Sequence, residues 1–282
     1  MKIYFTKMQG AGNDYIYIDC FKYKVSCPEK LAVLMSPRHT SVGSDGVILI
    51  CPSDKADAEM RMFNTDGSEG KMCGNGVRCV GKYIYDNGIA HKSTVTVATQ
   101  SGIKTLKIQD KNGKAESLTV DMGEPILTPC KIPVDFKGER MIDEPVCVGG
   151  KTYNITAVSM GNPHAVVFCG QVKDLRLDLI GPDFENHKIF PERVNTEFIR
   201  VISDRELEMR VWERGSGETY ACGTGACAAV TAAVLCGHCP KDTEITVHLK
   251  GGDLFIKWAQ DGHVYMRGAA EKVYDGVYEY ES

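Results

Sequence analysis

Short runs in which apolar and polar residues alternate recur along the chain, the period-2 signature of strands with one buried face. IYFTKM, YIYID, AEMRMFN and TVTVAT carry it in the first half, and TYNITAVSM, AVVF, ELEMRVWE and ITVHL in the second. Main helices are expected in only two places, residues 77–86 and 226–235, each directly after a glycine-rich loop. TVDMGEP and VYMRGAA close the two halves. Many short strands with few helices predict an α+β fold.

The two halves repeat one another. MCGNG around Cys73 and ACGTG around Cys222 each follow a glutamate four residues before the cysteine, Glu69 and Glu218. The same separation of 149 residues carries Asn13 onto Asn162, Gly46 onto Asn195 and Asn64 onto Glu213. One offset shared by several polar positions predicts two homologous, pseudo-symmetric, strand-rich lobes, each wrapped around one main helix. The expected boundaries are 1–121 for the N-terminal lobe, completed by a C-terminal strand 271–282, and 122–270 for the second. No low-complexity linker separates them, so the lobes are expected to pack directly, with the active site in the cleft between.

Composition narrows the function. Among 282 residues, 33 basic and 37 acidic side chains leave a net charge of −4, which argues against nucleic acid as the main partner. No apolar run approaches the ~18–20 residues of a membrane span, and Lys7 interrupts any signal-peptide core, so a cytoplasmic protein is expected. The 12 cysteines fall short of a disulfide scaffold and read as mostly free thiols.

Each CGxG loop places a cysteine just before a helix, where unpaired N–H groups and the positive end of the dipole are expected to lower a thiol pKa. The residues that follow, Gly74 and Asn75 in one loop and Gly223 and Thr224 in the other, let backbone N–H groups approach a carboxylate. A single such loop reads as a structural turn. A matched pair facing one cleft suits inversion of a stereocentre α to a carboxylate, one sulfur removing a proton and the other returning one to the opposite face. Glu213 and Arg214 end an alternating strand just before the second loop, and the Arg fork matches a substrate with a second carboxylate. Asn13 and Asn162 fit turns as well as ligands. No pyridoxal-binding signature or zinc-ligand spacing stands out, so neither cofactor nor metal is expected.

Two other classes stay open on the residues alone. Cys236-Gly-His-Cys239 has the spacing of a thiol–disulfide oxidoreductase, but it follows the helix rather than preceding it, the wrong end to activate a thiol. A metal-binding protein is the third reading. Gly10-x-Gly12 runs into a strand and lacks a third glycine, so a dinucleotide site is not expected.

The motifs GAGNDY, NTDGSEGKMCGNGVRC, GNPHAVVF, VNTEF and ERGSGETYACGTGACA, in this order over nearly the whole chain, resemble the diaminopimelate epimerases. The resemblance implies a pyridoxal-independent isomerase that interconverts L,L- and meso-diaminopimelate for lysine and cell-wall synthesis, acting as a homodimer. Carried over by motif, Cys73 and Cys222 are the acid–base pair. Asn13, Asn64, Asn162 and Asn195 hold the polar ends of the substrate, Glu213 faces an ammonium group and Arg214 the distal carboxylate. Gly74, Asn75, Gly223 and Thr224 supply the N–H cradle, and His164 and Glu213 assist proton transfer. Gly46 departs from the pattern, standing where many members have a substrate-contacting Gln. Racemases of proline, hydroxyproline or histidine are similar, but the proline racemase group usually carries His where Asn75 stands.

Overall fold

The computed structural model describes residues 2–279. The chain divides into two compact units, residues 2–120 with 267–279, and residues 121–266. The last three residues of the expected closing strand lie outside the described residues.

The first unit contains β1 (Lys2–Gly10), β2 (Asn13–Asp19), α1 (Pro28–Met35), β3 (Gly46–Cys51), β4 (Ala58–Asn64), β5 (Glu69–Gly70), α2 (Gly74–Asp86), β6 (Thr94–Thr99), β7 (Gly102–Lys111) and β8 (Lys114–Asp121). The second contains β9 (Glu144–Val148), β10 (Lys151–Ser159), β11 (Pro163–Phe168), α3 (Leu177–Glu185), β12 (Asn195–Ser203), β13 (Glu206–Glu213), β14 (Gly217–Glu218), α4 (Gly223–Leu235), β15 (Ile245–Leu249), β16 (Gly252–Trp258) and β17 (Val264–Ala269). The chain returns to the first unit within β17, at Arg267, and continues into β18 (Glu271–Glu279), which pairs antiparallel with β1.

The pairings repeat. In the first unit β1–β2 is antiparallel, β2–β3 parallel, β3–β4 antiparallel, β4–β6 parallel and β6–β7 antiparallel. In the second, β10–β11, β11–β12, β12–β13, β13–β15 and β15–β16 follow the same sequence of senses. The architecture is α+β, as the alternation of short apolar strands predicts.

Both main helices begin three residues earlier than the sequence pattern suggested, because the glycines of each CGxG motif form the first turn instead of a preceding loop. Cys73 and Cys222 are the N-caps, extended at φ −132° and −120°. Each sulfur accepts from the backbone N–H three residues on, the bond that normally falls to Ser, Thr, Asp or Asn. α2 packs on β1, β2 and β6, and α4 on β10, β11, β12 and β16. α1 and α3 have no counterpart in the predicted elements. Both are short, and Gly181 and Pro182 inside α3 blunt the helical signal. They close apolar cores on the sheets, Leu31 and Met35 against Ile16, Ile18 and Val47, and Phe184 against Phe198 and Tyr153.

Candidate active site

In the first unit the β1–β2 turn brings Asn13 to the start of α2. The Cys73 thiol donates to Asn13 Oδ1 at 3.1 Å, and Cys73 Sγ accepts from the Gly76 N–H at 3.4 Å. Asn13 is itself held, its Nδ2 donating to Asp45 Oδ2 at 2.7 Å. Behind it a charge cluster fixes the turn: Arg38 bridges Asp14 and Asp45, and buried Lys7 pairs with Asp14. Burial alone would push the Asp14 carboxyl up, but Arg38 and Lys7 hold it below the usual carboxylate range. Asn64, at the end of β4, donates to Ser68 Oγ at 3.0 Å and lies opposite Gly46 across the β3–β4 ladder. A Cβ at Gly46 would stand 2.1 Å from the Phe63 carbonyl, so this backbone admits no side chain there. Asn75 is buried, its Oδ1 accepting from fully buried Arg78 at 2.9 Å, so its side chain is committed within the helix.

The second unit places two carboxylates, Glu197 and Glu213, by its cysteine turn. Cys222 Sγ accepts from the Gly225 N–H at 3.3 Å and lies 3.4 Å from Thr224 Oγ1. His164, on β11, is fully buried between Glu197 Oε1 at 2.7 Å from Nδ1 and Asn162 Oδ1 at 3.0 Å from Nε2. Asn195 spends both ends of its amide locally, donating to the Pro163 carbonyl at 2.9 Å and accepting from the Arg214 N–H at 2.9 Å. Glu213 accepts from the Thr219 hydroxyl. Arg214 donates to the Glu192 carbonyl at 2.7 Å and forms no ion pair among the described residues.

Electrostatics correct one expectation here. The Cys222 thiol is not lowered. Burial pushes it well above the usual thiol value, and the negative charges of Glu213 and Glu197 add to that, outweighing the Thr224 hydroxyl and the Gly225 N–H. Burial likewise raises the Glu213 carboxyl, with Glu197 adding to it, while Thr219, His164 and Cys222 pull the other way.

The family model described as diaminopimelate epimerase matches residues 5–128 and 156–273, spanning both cysteine turns. The chain belongs to the diaminopimelate epimerase family. A diaminopimelate epimerase from Desulfovibrio desulfuricans is 54% identical over 281 residues, covering 97% of this chain and 97% of that one. One from Acetivibrio thermocellus is 53% identical over 273 residues, covering 96% and 97%. Among solved structures, a phenazine biosynthesis protein of the PhzF family from Bacillus anthracis shares the fold at TM-score 0.70 and 16% identity, over 99% of this chain and all of that one.

For a diaminopimelate epimerase, the structure adds residues that the motifs alone did not single out. Glu197 lies inside VNTEF, and its signal is a carboxylate in a strand whose neighbours are all buried. Asp45 and Arg38 set Asn13 through contacts between residues far apart in sequence. The Cys236–Cys239 segment offers no activated thiol. Cys236 caps the C-terminal end of α4, burial raises its thiol, and burial pushes Cys239 up to about 11.

Proposed function

We propose that this chain interconverts L,L- and meso-diaminopimelate with Cys73 and Cys222 as the acid–base pair acting on opposite faces of one α-carbon, without a cofactor. The observation that carries this reading is the paired capping. Two cysteines at matched positions of a repeat each take the N-cap of a main helix and each accept the N–H of the glycine three residues on, at 3.4 and 3.3 Å.

One sulfur, as thiolate, takes the α-proton. The Cα–H bond breaks, an S–H bond forms, and the electron pair stays on carbon. The other sulfur gives up its proton to the opposite face, a new Cα–H bond forms, and the two thiols have exchanged roles, so the reverse reaction uses the same groups. First-turn N–H groups at Gly74, Asn75, Gly223 and Thr224 cradle the adjacent carboxylate and offset the charge that develops. Asn13, Asn64, Asn162 and Asn195 hold polar ends of the substrate, Glu213 faces an ammonium group, and Glu213 and His164 assist proton transfer. Arg214, free of ion pairs among the described residues, takes the distal carboxylate bidentately. The family resemblance supports a cytoplasmic homodimer serving lysine and peptidoglycan-precursor synthesis.

A racemase of proline or histidine would have no second carboxylate for Arg214. The test is α-proton exchange in D2O under reducing conditions, with L,L-diaminopimelate beside proline, histidine, lysine and glutamate. Deuterium gain with inversion for diaminopimelate alone is expected. Exchange with another amino acid instead overturns the substrate, and exchange with none overturns the reaction.

A further inference from the structure

The repeat allows each half of the site to serve as a control for the other. Moving by the offset that joins Cys73 to Cys222, Ile48 corresponds to Glu197, Tyr15 to His164 and Asn64 to Glu213. The substitution of Ile48 by Glu197 sits behind the cysteine turn in both units. A Cβ placed on Gly76 would meet Ile48 Cδ1 at 2.8 Å, and one placed on the matching Gly225 would meet Glu197 Oε1 at 2.5 Å. Thus the residue whose N–H is given to the sulfur is backed by a methyl in one unit and by a carboxylate in the other.

Glu197 is fully buried. Its Oε1 lies 2.7 Å from His164 Nδ1, while its Oε2 has no hydrogen-bond partner among the described residues. A buried carboxylate with one unsatisfied oxygen is destabilising, by more than a neutral polar group would be. The isoleucine of the first unit shows that the scaffold accepts an apolar residue at the corresponding place. Packing therefore does not account for Glu197.

We propose that Glu197 is a positioning residue of the second unit: its carboxylate holds His164 as the Nδ1–H tautomer and keeps Cys222 in the protonated thiol form at rest, a device the first unit lacks. The inference rests on the two-cysteine reading above for its catalytic meaning, though not for its electrostatic content. The carboxylate acts in two ways. By accepting from Nδ1–H it leaves His164 Nε2 as an acceptor facing the Asn162 side chain 3.0 Å away, which meets it with the NH2 end of its amide, so that the amide proposed to hold substrate is set from behind. By lying beneath the first turn of α4 it opposes a second negative charge at Cys222. The groups facing Cys222 in this unit are Glu197 from β12, Glu213 from β13, and Thr224 and Gly225 from α4 itself, while His164 from β11 acts on Glu213 and Glu197. Of the two carboxylates, Glu213 is the one assigned to substrate.

The experiment is the pH dependence of iodoacetamide alkylation at Cys73 and Cys222 separately, followed by peptide mass spectrometry, in the full-length reduced protein and in Glu197→Gln. At a pH below both midpoints, Cys222 in Glu197→Gln is expected to react about tenfold faster than in the unsubstituted protein, one pH unit of midpoint, while Cys73 is unchanged. An unmoved Cys222 midpoint, or equal shifts at both cysteines as a general loosening would produce, overturns the proposal. Glu197→Ile, which copies the first unit, serves as a second variant and should shift Cys222 in the same direction. A measurement on the unsubstituted protein needs no variant to fold: the 15N spectrum of His164 should show Nδ1 protonated, and a sole Nε2–H tautomer overturns the assignment. Failure of the two-cysteine reading looks different. If Cys222→Ala keeps exchanging the α-proton while Glu197→Gln still shifts the Cys222 midpoint, the function falls and the electrostatic role stands. If Cys222→Ala is inactive and the midpoint does not move, Glu197 alone is wrong.

Discussion

The two cysteine turns share a backbone plan and differ in what surrounds the sulfur. Around Cys73 stand Asn13, which accepts the thiol proton, and the methyl of Ile48 behind the turn. Around Cys222 stand Glu213 and Glu197, and burial together with their negative charges pushes the thiol up. The helices differ as well. α2 carries a fully buried arginine, Arg78, that ties Asn75 in its first turn to the Ala269 carbonyl, whereas the matching position of α4 is Cys227 in a helix of small residues. Duplication of a scaffold thus supplies equal positions for two thiols, and the polar residues placed around each determine what each sulfur does.

The sharpest way to break the comparison is to remove one sulfur at a time. Cys73→Ala and Cys222→Ala are each expected to lower epimerisation by about a thousandfold, the scale of a positioned acid or base, with far-UV circular dichroism unchanged. Near-normal inversion in either variant would end the two-base reading.

Arg78 tests the unequal helices. Arg78→Ala leaves the Asn75 amide and the Ala269 carbonyl without that partner in a buried setting, and is expected to cost about 2–4 kcal/mol in urea unfolding. A loss within the range of ordinary surface substitutions would show that the first turn of α2 is held by other contacts.

The paired glycines give a smaller and more direct contrast. Gly225→Ala drives a methyl against Glu197, which cannot retreat without leaving His164, and should cost about 1–3 kcal/mol. Gly76→Ala meets the end of Ile48, which can rotate, and should cost less. Urea midpoints of the two variants compare them, and the reverse order would place the rigid backing in the wrong unit.

The last effect is in pH. The Cys222 thiol is raised in the folded state, so the native protein keeps its proton at pH values where the unfolded chain has lost it. Stability from this group is therefore fully present below the ordinary thiol range and declines as pH rises above about 8.5, by at most about 1.4 kcal/mol per pH unit. Thermal midpoints between pH 8 and 10 should fall less steeply in Cys222→Ala than in the unsubstituted protein. Equal slopes would mean that the thiol is not raised.

Much of this was legible in the sequence because it is periodic or repeated. AEMRMFN, ELEMRVWE, TVTVAT and ITVHL coincide with β4, β13, β6 and β15, since alternation records which face of a strand is buried. α1 and α3 escaped because a helix of two turns leaves too few apolar positions to establish a period, and Gly181 and Pro182 interrupt the second. α2 and α4 start earlier than the residue pattern indicates because glycine has low helix propensity, while the cap that offsets it is a sulfur, outside the usual capping residues. Substitution of Gln by Gly46 is visible in sequence, but the steric reason for it, the Phe63 carbonyl of the neighbouring strand, is not.

The sequence by itself determined the strand plan, the duplication, the family and the identity of the paired cysteines, because each is written in local pattern or in one constant offset. Only the tertiary structure decided the electrostatic character of the second turn. Glu197, His164, Glu213 and Cys222 lie on three different strands and a helix cap, and the effect of one on another depends on distance and burial, which a linear order of residues does not contain.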